Sequence, residues 1–77
     1  KINLYPNPSS GNLNIELLNS ISPVQFEILD VNGKIVDKFI MNSNKHYLNI
    51  NYLNKGFYLL RFYNSYGVDS RMSFIKN

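Results

Sequence analysis

The chain contains no cysteine and no tryptophan, and it has a single histidine. Without cysteine there is neither a disulfide framework nor a thiolate site, and His46, beside Lys45 in a polar stretch read as a loop, cannot complete a zinc set alone. The missing cysteines say nothing against export, because a domain held by apolar burial needs no covalent staple. Long apolar runs are also missing. The unbroken ones extend only a few residues, far below the roughly 20 that a membrane-spanning helix needs, so no transmembrane segment is expected. No charged-apolar-small leader opens the chain, which starts at Lys1 without Met; this is the expected look of a fragment whose leader, if exported, is encoded upstream.

Acidic residues are few, five against eight Lys and Arg, for a formal charge of +3. The basic residues are spread along the chain. A nucleic-acid surface would gather them on one face or interleave them with stacking aromatics, so no nucleic-acid partner is expected.

What the chain does have is apolar substance: 44% hydrophobic and 14% aromatic residues, ample for a packed interior in 77 residues and too much for a disordered tail. Its period is two. Leu13, Ile15 and Leu17 alternate with Asn12, Asn14 and Glu16; Val24, Phe26 and Ile28 with Gln25 and Glu27; Leu48 and Ile50 with Asn49 and Asn51; Tyr58, Leu60 and Phe62 with Phe57, Leu59 and Arg61. Alternation of this kind is the mark of half-buried strands, and no segment sustains a helical period over two turns. Residues 34–41 have mixed faces, with Ile35, Phe39 and Met41 beside Asp37 on one and Val36 and Ile40 beside Lys34 and Lys38 on the other. Charge on both sides suits an edge strand.

Turn signals fall between the runs: 6–11, 19–23, the Asn32-Gly33 hairpin signal after Asp30, 42–45, 54–56 and 65–67. Their spacing predicts one all-β domain of about seven short antiparallel strands, a two-layered sandwich with Leu53, Tyr58, Leu60 and Phe62 in its core. Pro6 and Pro8 stiffen the first corner, and Gly11 is expected to supply a positive φ that turns the chain into the next strand.

Catalytic and metal chemistry finds little footing. Asp30-Val31-Asn32-Gly33 begins like a calcium loop but continues with Lys34 and places Met41 where a terminal Glu is required. No serine sits in a nucleophile elbow. Glu16, Glu27, Asp37 and Asp69 read as solvated acids on outer strand faces. Asparagine is plentiful, yet the one acceptor triplet, Asn7-Pro8-Ser9, is blocked by its proline. No enzyme activity, cofactor or metal is expected.

Several short elements occur in a telling order: Tyr5-Pro6-Asn7-Pro8 with Gly11, then Gly33-Lys34, then Leu53-Asn54-Lys55-Gly56-Phe57-Tyr58, then Arg71 to Lys76. Over essentially the whole chain this order resembles the type IX secretion system C-terminal sorting domain of type A, also called the Por secretion C-terminal domain. Ser73 and the added Asn77 depart from the pattern. The resemblance implies a seven-stranded antiparallel immunoglobulin-like β-sandwich at the end of a larger secreted protein. It would be recognised as a folded signal by the type IX translocon and by sortase-like outer-membrane components, and cleaved from a covalently linked N-terminal cargo domain. It would pass through the periplasm to the cell surface or extracellular space of a Gram-negative bacterium.

Carried over residue by residue, the recognition set is Pro6, Asn7, Pro8, Gly11, Gly33, Lys34, Lys55, Gly56, Arg71 and Lys76, of which Asn7, Lys34, Lys55, Arg71 and Lys76 are expected to be exposed. Docking is expected through an open sheet edge and the basic last strand, in the manner of strand addition. Two rival readings stand beside it. One is an accessory carbohydrate- or protein-binding module that uses Tyr47, Tyr52, Tyr63 and Tyr66. The other is a small hydrolase, for which the lone His and scattered acids form no constellation.

Overall fold

Residues that alternate between water and an apolar interior with a period of two satisfy both by pairing as strands, and the described residues form seven of them. The computed structural model describes residues 2–18, 23–64 and 69–77, except for the side chain of Asp69. Residues 19–22 of the turn before Pro23, and residues 65–67 with Tyr66, lie outside these ranges. The strands are β1 (Ile2–Tyr5), β2 (Asn12–Leu17), β3 (Val24–Leu29), β4 (Ile35–Met41), β5 (Lys45–Asn49), β6 (Gly56–Tyr63) and β7 (Asp69–Lys76). All ladders between them are antiparallel, in a three-stranded sheet ordered β1-β2-β5 and a four-stranded sheet ordered β4-β3-β6-β7.

The inward residues of both sheets share one core. Ile2, Leu13, Ile15 and Leu17 come from the smaller sheet, and Val24, Phe26, Ile28, Met41, Tyr58, Leu60, Phe62 and Phe74 from the larger; Ile50 and Leu53 close one end. Each fully buried aliphatic or aromatic side chain removes enough apolar surface to contribute about 1.5–3 kcal/mol, and a chain this short has few such contributions to lose. Along one inner row Phe39, Phe26 and Phe62 lie opposite one another on β4, β3 and β6. Their rings stack at 5.1 and 5.6 Å.

His46 extends that row. It is not in a loop: β5 starts at Lys45, and His46 faces inward opposite Ile15 and stacks on Phe39 at 4.8 Å. Polar residues at 45–46 hid the start of the strand from composition, but cross-strand pairing with β2 supplies what propensity lacks, including the Lys45–Glu16 ion pair at 3.7 Å.

β4 is an edge strand, as its mixed faces suggest. Its faces are not those of a plain alternation, however. Ile28 pairs with Asp37 but Leu29 pairs with Ile35, which leaves Val36 as an extra residue. One inserted residue reverses the facing of everything before it, so Ile35 leaves the side of Phe39 and Met41 and joins Leu29 on the outer face.

Candidate recognition end

The hairpin 30–34 is built by its first residue. The Asp30 carboxylate oxygen Oδ1 accepts the backbone N–H groups of Asn32 at 2.9 Å and Lys34 at 3.0 Å. The backbone adds Gly33 N–H to Asp30 C=O at 3.0 Å and Asp30 N–H to Lys34 C=O at 2.9 Å. The result is a three-residue loop with Gly33 in the left-handed region at φ 81°.

The proline corner is fixed by β7. Both the Tyr5–Pro6 and the Asn7–Pro8 peptide bonds are cis. Neither proline can donate a hydrogen bond, and the side chain between them takes over that role. Asn7 Nδ2 donates to the Ser73 carbonyl at 3.2 Å, and Asn7 Oδ1 accepts the Ile75 N–H at 3.1 Å. Two residues later the backbone joins in, Ser9 N–H to Ile75 C=O at 2.9 Å and Asn77 N–H to Ser9 C=O at 2.8 Å, as a parallel bridge between Ser9 and Lys76. Ser9 is buried, and its hydroxyl donates to the Asn12 carbonyl. The outer edge of β7 is therefore occupied from Ser73 to Asn77. Over that stretch the last strand offers no open edge for strand addition, because its backbone groups bond to residues 7–9.

Gly11 serves differently from expectation as well. It has no positive φ; its carbonyl accepts the Ile50 N–H at 2.8 Å, and a Cβ at this position would sit 2.8 Å from Asn51 Oδ1. The corner needs close approach here, not a left-handed turn. Lys76 is the other correction. It is only 8% exposed, lies opposite Gly56 on the inward side of β7, and its ammonium donates to the Asn77 carbonyl at 3.1 Å. Alternation from the buried Phe74 carries it inward, and its long methylene stem tolerates that position.

Nine of the ten residues singled out in the sequence meet at one end of the molecule. There β3 ends, β4 and β6 begin and β7 finishes, so the hairpin with Gly33 and Lys34, the segment with Lys55 and Gly56, Lys76, and the corner with Pro6, Asn7, Pro8 and Gly11 are neighbours. Asn7, Lys34 and Lys55 are exposed. Arg71, also exposed, stands apart: it pairs with Arg61, five residues up β7 from Lys76, roughly 16 Å at the usual strand rise.

Glu27 is not the solvated acid that its outward strand position suggests. It faces outward on β3 yet is 6% exposed, covered by the Arg61 guanidinium, whose Nη1 donates to Oε1 at 3.3 Å, and by the Tyr63 hydroxyl, which donates to Oε2 at 3.4 Å. Arg61 also lies 5.1 Å over the Tyr63 ring. The signal was present in the register: a carboxylate opposite an arginine on a central strand. Another tyrosine, Tyr52, bonds to Asp37 Oδ2 on β4, and partial burial first, then this contact, raises its pKa above the ordinary phenol range. Tyr47 lies on the outer face of the smaller sheet and Tyr63 on that of the larger, so these two tyrosines of the binding-module reading share no platform.

The family model of the secretion system C-terminal sorting domain matches residues 3–76. The chain belongs to this family. It carries a type IX secretion C-terminal sorting signal on an all-β, two-sheet fold. No curated protein matches the chain in a comparison of sequences. In this sorting domain the proline corner and the final strand, opposite ends of the family pattern, are hydrogen-bonded to each other. Among the described residues no helix is long and apolar enough to cross a membrane, and no three His, Cys, Asp or Glu are grouped as metal ligands.

Proposed function

We propose that the domain is a non-catalytic address, read in its folded state by the type IX translocon and by sortase-like outer-membrane components. It would carry an N-terminal cargo through the periplasm to the cell surface or medium of a Gram-negative bacterium and be cleaved off on arrival. The single observation that carries the folded-state reading is the joining of Asn7 and Ser9 to β7, because the family's separated sequence elements form one surface only after folding. The division of seven strands into three and four supports an immunoglobulin-like sandwich. Pro6, Asn7, Pro8, Gly11, Gly33, Lys34, Lys55 and Gly56 are the proposed recognition end; Lys76 is assigned to its interior support, and Arg71 to a separate position on the sheet face.

The test is a periplasmic reporter fused ahead of residues 1–77 in a bacterium that possesses the system. Reporter activity outside the cells is expected, and retention equal to that of the unfused reporter would reject the proposal.

A further inference from the structure

The larger sheet has an outer face that no element of the described chain covers, and its composition changes sharply along the strands. Opposed residues across β4, β3, β6 and β7 form rows on this face. One row is Ile35, Leu29, Leu59 and Ser73. The next, nearer the recognition end, places Phe57 opposite Ile75, with Val31 of the hairpin beside them. Val31 is 74% exposed, Ile75 49%, Phe57 45% and Ile35 42%. A shallow groove of about 330 Å³ runs among Leu29, Val31, Gly33, Phe57 and Leu59. Contiguous apolar surface of this kind, in contrast to single exposed side chains, marks a place where something binds.

Among the described residues, the side chains that border the patch and reach solvent are mainly cationic. The row behind it is Lys38, Glu27, Arg61 and Arg71. Glu27 is buried beneath Arg61 and Tyr63, so the row shows cations to solvent. Lys34 and Lys55 flank the other end. The nearby carboxylate, Asp30, is turned onto two backbone N–H groups of its own hairpin.

We infer that this face docks a protein surface that presents an apolar side chain within an acidic surround. The inference rests on the sorting reading and names the surface and the kind of partner. A partner strand adding to β7 is disfavoured because Asn7 and Ser9 already occupy that edge from Ser73 to Asn77. Face docking leaves those bonds intact. A second copy of this domain would bring two cationic borders together, a repulsive arrangement. A lipid surface offers negative charge but is penetrated by protruding side chains, whereas this patch is a sheet face with a groove that receives one.

Three variants of the reporter fusion separate these possibilities. Phe57→Ser with Ile75→Ser removes the apolar centre at two half-exposed positions; Lys38→Glu with Arg71→Glu reverses the border; Lys45→Gln alters the opposite sheet, opposite Glu16 and away from the proline corner, and serves as control. Each purified fusion is first melted to establish that it folds like the parent. Export is expected to fall by about tenfold or more in the first two, the scale on which central contacts of an interface act, and to be unchanged in the third. Parent-like export by correctly folded variants of both kinds overturns this inference and leaves the sorting reading standing. Retention of the parent fusion overturns both. Sedimentation of the parent fusion with vesicles of phosphatidylglycerol and phosphatidylcholine, or its dimerisation in ultracentrifugation, if abolished by Phe57→Ser with Ile75→Ser, overturns the assignment to a protein partner. The expected result is a monomer that stays in the supernatant.

Discussion

The side-chain carbonyl of Asn7 accepts the backbone N–H of Ile75 at 3.1 Å across 68 residues of sequence. With its amide donating to Ser73, Asn7 presents a donor and an acceptor to the edge of β7, as a strand residue would, between two prolines that have no N–H to give. Asn7→Ala should lower unfolding free energy by about 1–2 kcal/mol, two partly solvated hydrogen bonds. Hydrogen exchange at the Ile75 amide should accelerate more than at the Leu60 amide, which lies on a central strand. Equal acceleration at both would show that the corner acts only through global stability.

Gly33 and Gly11 should respond differently to the same substitution, since of the two Gly33 alone has a positive φ. Gly33→Ala places a side chain at φ 81° and should cost about 1–2 kcal/mol by urea titration. Gly11→Ala meets only the far end of the Asn51 side chain and should cost less than about 1 kcal/mol, with Asn51→Ala relieving most of the loss.

Glu27→Gln should destabilise the domain by about 1–2 kcal/mol, since it removes the charge from a carboxylate that accepts from both Arg61 and Tyr63. The solvent-accessible guanidinium keeps the figure below that of a fully buried pair. Chemical denaturation at neutral pH measures it.

Tyr52 governs an alkaline response. Burial, and then the bond to Asp37, raise its pKa in the folded state above the value of about 10 that it has when unfolded. Below pH 10 both states keep the proton and the contribution is fully present. As pH rises past 10 the unfolded state releases its proton first, so stability falls until the folded pKa is passed. Melting temperatures of the parent and Tyr52→Phe, compared between pH 9 and 11, should show a steeper alkaline decline in the parent. Parallel declines would remove Tyr52 as the cause.

The alternation of Leu13, Ile15 and Leu17, and of Tyr58, Leu60 and Phe62, fixed their inward facing because strand geometry has a period of two whatever the partner. The hairpin at Asn32-Gly33 and the edge character of residues 34–41 were likewise legible from local chemistry. The single inserted residue Val36 was not, since a bulge exists only relative to the strand opposite. For the same reason His46 and Lys45 read as loop, although their pairing with Ile15 and Glu16 makes them strand.

Sequence alone determined the class of fold, the turn at Gly33 and the order of elements that places the chain among sorting domains; these depend on neighbours along the chain. Tertiary structure alone decided that Lys76 is buried, that Glu27 is shielded, that Gly11 serves close approach, and that Asn7 caps the last strand. Each depends on which groups meet across the sheets, and burial and hydrogen bonding are properties of pairs brought together in space.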